Sequence, residues 1–403
     1  MIPIRKEGKP KNKAESYRPI SLTSCLGKLM ERIVNRRLQW YLEQNDMISN
    51  EQAGFRQFRC TEDQVTYISQ LIEDGYQEKK HTVTIWVDME KAFDKVWTKG
   101  LLLKLKRARI SHNMLSWIKD YLTNRKARVQ SQNSKSRLAS MINGVPQGGV
   151  LSPTLFLLFI NDICKIKCNR VKGAMYADDL ALICTEESIG TAKARLQMTL
   201  DDLSKWTKDW GMKVNAAKTT YTTFSLSTKK QSIKLTLDGQ NLKEDQSPKY
   251  LGVRFDPRLT WKHQIEENQQ KGLKRMQLLR KLAGTTWGAN TNVLKKTYLG
   301  YVRPALDYGI TAWGTCSNAQ FQKVEKVQNQ CLRVITGAMK TTPIHRMESH
   351  TGIKAMSDQR DSKILTQYTK VKFMDSQPLH QKAKGKKTSR LKRSNFISMG
   401  QKL

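Results

Sequence analysis

The hydrophobic positions of the chain follow two periods, and each period predicts one kind of element. Residues 82–87 (TVTIWV) alternate from face to face, which predicts a strand that ends at Asp88. Residues 173–185 predict a hairpin with Asp178 and Asp179 at its tip. Together with the helices, these strands predict an α+β fold. The longer, helical period occurs in five places between and around these strands: after Ser24, after Thr61, from Leu101 onward, over 151–160 and over 196–210.

The chain beyond Asp256 has a different pattern, in which helices have basic outer faces. Leu273, Met276 and Leu279 keep helical spacing, and most residues between them are polar or basic. No acidic residue follows Asp375, and cations crowd together near the end of the chain, so we expect this tail to be disordered. The crowded cations are Lys382, Lys384, Lys386, Lys387, Arg390, Lys392 and Arg393.

The charge of the chain narrows the choice of partners. Lys and Arg number 71 against 35 for Asp and Glu, and the resulting net charge of +36 calls for a polyanion, either nucleic acid or an acidic membrane surface. The longest apolar run, 150–160, is shorter than the roughly 20 residues of a membrane-spanning helix. The first residues lack the apolar core of a secretory signal. Seven scattered cysteines are typical of an intracellular protein with reduced thiols.

Three carboxylates at predicted strand ends are the strongest candidates for chemistry. Asp88 ends a strand and Asp178–Asp179 form a hairpin tip, so the three meet if the hairpin pairs beside that strand. An all-oxygen cluster suits Mg²⁺, and two such ions about 3.5–4 Å apart can activate a hydroxyl and stabilise a leaving phosphate oxygen. Hairpin turns often carry exposed aspartates, so a purely structural turn is the alternative at this point.

Three segments that contain or separate these aspartates occur in a fixed order: 88–94 (DMEKAFD), 144–153 (GVPQGGVLSP) and 176–179 (YADD). Together they resemble the palm motifs of reverse transcriptases. The remaining motifs of that family are matched, in order, by 17–22 (YRPISL), 52–56 (QAGFR), 215–218 (NAAK) and 250–253 (YLGV). The segments 259–263 and 302–304, with Tyr308 and Trp313, are similar to those of non-LTR retrotransposons, and among them of the jockey-like elements.

The resemblance covers about residues 1 to 355 and implies a right-hand polymerase. We expect fingers over 1–80, a palm with an antiparallel sheet over 81–255, a fingers insertion near 111–140, a helical thumb over 256–340, and a C-terminal segment over 341–403. The implied reaction is RNA-directed DNA synthesis, so the expected partners are an RNA template, a DNA primer and deoxynucleoside triphosphates. An endonuclease is expected from an upstream domain or a partner. The expected compartment is the nucleus during integration, with the cytoplasm as the alternative.

The resemblance also assigns the catalytic roles. Asp88 and Asp178 would bind both Mg²⁺ ions, for which Mn²⁺ is a substitute, and Asp179 would add negative potential. Lys218 would act as the general acid toward pyrophosphate, and its alternative is a lysine on an exposed strand.

Substrate contacts are implied in the same way, each with a structural alternative such as a surface charge, an ordinary turn or a core position. An aromatic ring below the incoming nucleotide would overlap a 2′-hydroxyl and so select the deoxyribose sugar. The residues in these roles are Lys6, Arg18 and Arg56 for the triphosphate, Gln147 and Gly148 for the base and sugar, Phe93 for the sugar, and Tyr250, Leu251 and Gly252 for the primer grip.

Two other functions fit parts of this pattern. An RNA-dependent RNA polymerase has a similar palm, but Phe93 argues against it because such enzymes place a smaller or polar residue there. A catalytically inactive, nucleic-acid-binding relic of a truncated element is the second. The three carboxylates and the Gln147 loop are intact, which disfavours decay of the palm.

Overall fold

The computed structural model describes residues 1–229, 232–284, 288–385 and 390–403, and it confirms the α+β class. The strands are β1 (Ile2–Arg5), β2 (Tyr17–Ile20), β3 (His81–Val87), β4 (Arg125–Ala127), β5 (Gln130–Ser131), β6 (Ser134–Lys135), β7 (Ala139–Met141), β8 (Val171–Tyr176), β9 (Asp179–Glu186), β10 (Thr220–Phe224), β11 (Thr236–Leu237), β12 (Gln240–Asn241), β13 (Lys243–Glu244), β14 (Lys249–Tyr250) and β15 (Val253–Arg254).

α-Helices occur at the places where the spacing predicts them, and α4 and several shorter helices are added. They are α1 (Cys25–Gln44), α2 (Thr61–Gln77), α3 (Thr98–Arg107), α4 (His112–Leu122), α5 (Ser152–Ile160), α6 (Ile189–Asp209), α7 (Lys262–Leu282), α8 (Thr291–Thr297), α9 (Arg303–Leu306), α10 (Ile310–Trp313), α11 (Asn318–Thr336), α12 (Ile344–Thr351), α13 (Met356–Phe373), α14 (His380–Lys384) and α15 (Phe396–Lys402).

A five-stranded sheet in the order β13–β10–β3–β9–β8 is the centre of the fold. Strand β3 pairs antiparallel with both β9 and β10, and β9 pairs antiparallel with β8, while the short edge strand β13 is parallel to β10. The pairing of β3 with β9 runs from His81–Glu186 to Val87–Leu180. The hairpin predicted over 173–185 therefore lies beside the strand predicted over 82–87.

The alternating pattern of these strands divides the interior into two cores. Val83, Ile85 and Val87 of β3 pack in one core, which also contains buried residues of α5 and α6. Trp86 points to the opposite face and joins a second core with α2 and the helices after residue 260. Such alternation is what a strand covered on both faces requires, because successive side chains point to opposite sides of the sheet.

Helix α1 begins where the sequence predicts but turns a different face inward. The Ser24 hydroxyl accepts a hydrogen bond from the Gly27 N–H at 3.5 Å, as expected of an N-cap. The buried positions, however, include Glu31, and Leu26 is 80% exposed. The Glu31 carboxylate accepts hydrogen bonds from the N–H groups of Val150 and Leu151 before α5. This polar contact, which hydrophobic spacing does not reveal, sets the rotation of the helix.

The segment 111–140 consists of α4 and two small antiparallel ribbons, β4–β7 and β5–β6.

The helices after residue 260 have the predicted basic exterior. In α7, Met276 and Leu279 are buried, while Lys274, Arg280 and Lys281 are exposed. Helix α11 packs along α7 through a buried stripe that includes Val324 and Val327. The domain boundaries at 80, 255 and 340 stay predictions.

The expected disorder of the C-terminal tail is wrong for the described residues. Phe396 and Ile397 of α15 are buried against α2 and α13. Arg390 donates hydrogen bonds to the carbonyls of Tyr76 and Gln77 at 2.8 and 2.9 Å. The basic composition concealed two facts: a few apolar residues anchor the segment, and buried acidic groups on α2 pair with its cations. Lys386 and Lys387 lie outside the described residues.

Helix α2 is the element that these cations surround, and it is buried from Asp63 to Tyr76. Lys370 of α13 lies 2.7 Å from the Asp63 carboxylate, and Arg393 lies 2.6 Å from Glu73. The sheet covers the other side of this helix.

No helix among the described residues is both long and apolar enough to cross a membrane.

Candidate active site

The sheet register brings the three predicted carboxylates to one edge. Val87 pairs with Leu180, so Asp88, which follows β3, lies next to Asp179, which begins β9. Tyr176 pairs with Asp179, which leaves Ala177 and Asp178 as a two-residue turn. The convergence expected from the sequence thus results directly from strand pairing.

A loop between α6 and β10 fixes the position of Asp88. The Asp88 N–H donates to the Thr219 hydroxyl at 3.3 Å, and the Asp88 carbonyl accepts from the Asn215 N–H at 2.8 Å. The Nζ of Lys218 lies 3.5 Å from Oδ2 of Asp88, and the lysine side chain is 63% exposed. The motif 215–218 therefore holds both the backbone and the side chain of this aspartate.

The turn aspartates have an environment that favours a cation. Burial raises the pKa of Asp179 to about 6, and the nearby carboxylates of Asp178 and Asp88 contribute to the increase. Burial also raises the pKa of Asp178, while Arg18 acts in the opposite direction. A bound cation would relieve this crowding of negative charge.

The donor set fits Mg²⁺ better than a soft metal, because all the candidate ligands are carboxylate oxygens. Across the residues that the structure describes, no group of three or more acidic, histidine or cysteine side chains is placed to hold a metal ion. Mg²⁺ does not require such a group, since it typically takes one or two carboxylates and completes its coordination with water and substrate phosphate.

Phe93 and the Gln147 loop are packed together beside this edge. The Phe93 ring stacks on Phe156 with the ring centres 4.4 Å apart, and the Phe93 carbonyl accepts from the Val145 N–H at 2.9 Å. The Gln147 amide donates to Asp94 at 2.8 Å. Part of the Phe93 side chain remains exposed. The two sequence motifs are therefore in direct contact.

Gly148 has a structural reason of its own. Its φ is +102°, and a Cβ atom there would lie 3.0 Å from the Ser21 carbonyl oxygen. The loop is held against the segment between β2 and α1, where the Ser21 N–H donates to the Gln147 carbonyl at 2.7 Å. Close packing against protein backbone explains the glycine without a ligand.

The three cations expected to bind triphosphate have different surroundings. Arg18 is exposed on β2 and close enough to Asp178 to affect its pKa. The Nζ of Lys6 donates to the Glu15 carbonyl at 3.1 Å, within the same N-terminal hairpin.

Arg56 requires a correction, because its guanidinium is already occupied. It bonds both Glu43 carboxylate oxygens, at 2.8 and 2.6 Å, and the carbonyls of Ser49 and Gln52 at 2.8 and 3.1 Å. Its side chain is only 7% exposed. Arg56 therefore braces a loop and is not available to a phosphate.

The predicted primer grip is the tight hairpin β14–β15. Leu251 and Gly252 form its turn with φ values of +46° and +81°, the pattern of a type I′ turn. The Tyr250 side chain is buried and so supports the hairpin from below. Tyr308, which sequence reasoning gave no role, donates to the Leu251 carbonyl at 2.6 Å. Its place in a family motif was the only signal in the sequence.

Comparison with known proteins identifies the family. The family described as "Reverse transcriptase (RNA-dependent DNA polymerase)" matches residues 4–255. The chain belongs to the reverse transcriptase family. Enzymes of this family generally depend on a divalent metal and act on an RNA template and a primer.

The relatives carry the same description. A Drosophila melanogaster protein named "Probable RNA-directed DNA polymerase from transposon BS" is 33% identical over 87% of this chain and 40% of its own length. The Drosophila melanogaster "RNA-directed DNA polymerase from mobile element jockey" is 32% identical over 86% of this chain and 38% of its own length. The chain thus spans about two-fifths of each. A solved structure of apo telomerase from Candida tropicalis, at 12% identity, covers 87% of this chain and 60% of its own with a TM-score of 0.43, too low for inference.

Proposed function

We propose that the chain is the polymerase core of a non-LTR retrotransposon reverse transcriptase, and that it copies RNA into DNA. The observation that carries this proposal is the register of β3 against β9, which puts Asp88 beside Asp178 and Asp179. Family membership and the relatives from transposon BS and jockey support it.

In the proposed reaction, a primer 3′-hydroxyl attacks the α-phosphorus of a deoxynucleoside triphosphate. A bond forms between O3′ and that phosphorus while the hydroxyl proton passes to solvent water, the bond from phosphorus to the β-phosphate oxygen breaks, and pyrophosphate leaves. Asp88 and Asp178, with Asp179, would hold two Mg²⁺ ions, or Mn²⁺ as a substitute, which neutralise the charge of the attacking and leaving oxygens.

Other side chains would act on the nucleotide. Arg18, exposed near Asp178, would bind the triphosphate, with Lys6 at the same end of the molecule. Lys218 would turn from Asp88 to donate its proton to the departing pyrophosphate. Its 63% exposure and a reach of 3.5 Å to Asp88 support that role. Gln147 and Gly148 would contact base and sugar.

The nucleic acid would be held through its backbone by the thumb. Helix α7 presents the exposed cations Lys271, Lys274, Arg280 and Lys281, and the net charge of +36 favours a polyanion. The template would be RNA and the primer DNA. We place the endonuclease that supplies the primer end in an upstream domain or a partner, and the integration step in the nucleus, with the cytoplasm as the alternative compartment.

The test is primer extension by the purified chain on poly(rA) primed with oligo(dT), with labelled dTTP and Mg²⁺. Extension of the primer on this RNA template, with deoxynucleotides incorporated faster than ribonucleotides, supports reverse transcription. Preferential incorporation of ribonucleotides would favour an RNA polymerase. Template–primer binding without any extension would identify an inactive relic.

A further inference from the structure

Ala177, the residue before Asp178, has a backbone conformation that few residues adopt. It is the first of the two turn residues between β8 and β9, and its φ is +55°. A positive φ at this position is usually reserved for glycine, because a Cβ atom crowds the backbone there. Because alanine does not favour this conformation by itself, another contact must hold Ala177 there. The orientation of Ala177 in turn determines where the Asp178 side chain points.

Gln52 provides that contact from the opposite side of the turn. Its Oε1 accepts a hydrogen bond from the Ala177 N–H at 2.9 Å, and its Nε2 donates to the Ala177 carbonyl at 3.2 Å. One amide therefore bonds both backbone groups of a single residue. Gln52 is 2% exposed, so water does not compete for these bonds.

The loop that carries Gln52 is itself rigidly held. Gly54 donates to the same Oε1 at 2.8 Å, and a Cβ on Gly54 would lie 2.4 Å from the Ala177 nitrogen. The Ala53 N–H donates to the Met175 carbonyl at 2.9 Å. Arg56, paired with Glu43, binds the Gln52 carbonyl. These contacts fix the loop against the end of β8.

We infer that Gln52 is a positioning residue for nucleotidyl transfer: its amide fixes the Ala177 backbone and thereby the direction of the Asp178 carboxylate. The inference rests on the proposed function. Gln52 would not touch substrate or metal, and Arg56 would act one step further back, by holding the loop. The motif 52–56 then serves the catalytic turn from the fingers side of the chain.

The Gln52→Met substitution keeps the length of the side chain and removes the three hydrogen bonds of its amide, while the backbone bonds of residue 52 remain. Without the amide, Ala177 is expected to relax from its positive φ and to displace the Asp178 carboxylate. Because a misplacement of about 1 Å can cost about 100-fold in rate, we expect kcat to fall by roughly 10- to 100-fold. The KM for dTTP and the template–primer Kd should change by less than about threefold, since the cations proposed to bind triphosphate and duplex, Arg18 and those of α7, lie outside the turn.

Gln328→Met is the matched control. Gln328 is also fully buried, accepts from the Tyr298 hydroxyl at 2.6 Å and donates to the Lys354 carbonyl at 3.0 Å, but it lies among the helices after residue 290. The Gln328→Met variant should lose about as much thermal stability as Gln52→Met and keep the kcat of the wild type. A second variant, Gln52→Met with Ala177→Gly, should recover part of the lost kcat, because glycine adopts a positive φ without support.

The experiment measures kcat, KM and melting temperature for these variants, with hydrogen exchange of the peptide 174–182 as a readout independent of activity. Faster exchange in Gln52→Met but not in Gln328→Met, with the kcat loss and its partial recovery by Ala177→Gly, is the expected result. An active wild type whose kcat Gln52→Met leaves unchanged, or Gln328→Met lowers equally, overturns the inference alone. A wild type without primer extension overturns the proposed function.

Discussion

The Tyr250 hydroxyl lies 3.3 Å from the carbonyl oxygen of Asp179 and 3.1 Å from that of Ala174, so the β14–β15 hairpin is tied to both strands of the β8–β9 hairpin. The tyrosine is buried, and its hydroxyl has no water to replace these partners. These two contacts fix the position of the β14–β15 turn relative to Asp178 and Asp179 through the folded core.

Removing that hydroxyl should therefore affect both stability and primer use. Tyr250→Phe is expected to lower the free energy of unfolding by about 1–2 kcal/mol, because two buried carbonyls lose a donor. It should also raise the primer concentration needed for half-maximal extension severalfold, measured by steady-state kinetics. Tyr41→Phe removes a similar hydroxyl that bonds Ala108 and Arg109 carbonyls, away from the site, and should change stability only.

Phe93 provides a test of sugar selection. Phe93→Ala should raise ribonucleotide incorporation relative to deoxyribonucleotide by roughly 10- to 200-fold, the effect of a steric clash worth about 1–3 kcal/mol. The ratio of kcat/KM values for UTP and dTTP measures it. Phe58→Ala, at a position 69% exposed, is the control. An unchanged ratio in Phe93→Ala would mean that the ring only fills space against Phe156.

The convergence of the three aspartates at one sheet edge was predictable because it depends on local order in the sequence. The strand before Asp88 and the hairpin around Asp178 each have a clear period, and antiparallel pairing brings them together. Lys218 was identified only through the family motif 215–218, and the pairing of β10 with β3 brings it to Asp88.

What the sequence did not reveal are contacts between residues far apart in the chain. Arg56 was expected to bind phosphate, but its partner Glu43 and the Gln52 carbonyl can be identified only in the folded loop. The tail was expected to be disordered because its composition is basic, and the acidic groups of α2 that bind it, Asp74 and Glu73, lie more than 300 residues earlier. Composition describes a segment in isolation, whereas burial depends on what the segment meets.

Arg393 tests whether the tail is part of the fold. Its guanidinium lies 2.6 Å from Glu73, which is only 4% exposed. Arg393→Met would leave that carboxylate buried without a cation, at an expected cost of about 3–5 kcal/mol in chemical denaturation. Lys392→Met changes the exposed neighbour and should have no measurable effect. If both variants are equally stable, Arg393 does not contribute to the fold and the tail is disordered, as its composition predicts.

The same pair should give the Arg393→Met variant a pH dependence of known sign. Burial raises the pKa of Glu73 to about 7, against the lowering effect of Arg393. A carboxyl whose folded pKa exceeds its unfolded value binds more protons in the folded state, so its contribution to stability falls as pH rises through that interval. The destabilisation by Arg393→Met should be larger at alkaline than at mildly acidic pH, and adding Glu73→Gln should abolish the difference.

The stability contributed by Glu267 should have the opposite pH dependence to that of Glu73. Burial would raise its pKa, but Lys249 and Lys271 outweigh burial and lower the pKa to about 2. The stabilisation should be complete above the ordinary pKa and be lost as pH falls from about 4.5 toward about 2. Glu267→Gln should cost about 1 kcal/mol at neutral pH, since the pairs are partly exposed, and almost nothing in acid. In a Lys249→Met background the cost should shrink; an unchanged cost would remove the link between the hairpin and α7.

The measurement that tests the central claim most directly compares synthesis and binding in Asp178→Ala. If Asp178 holds the metal ions, the variant should lose primer extension on poly(rA)/oligo(dT) by at least about 1000-fold, while its template–primer Kd stays within about threefold of wild type. Asp202→Ala, an exposed aspartate on α6, should behave as wild type in both assays. Extension that survives in Asp178→Ala, or an equal loss of binding and synthesis, would contradict the account, because the carboxylate would then be structural.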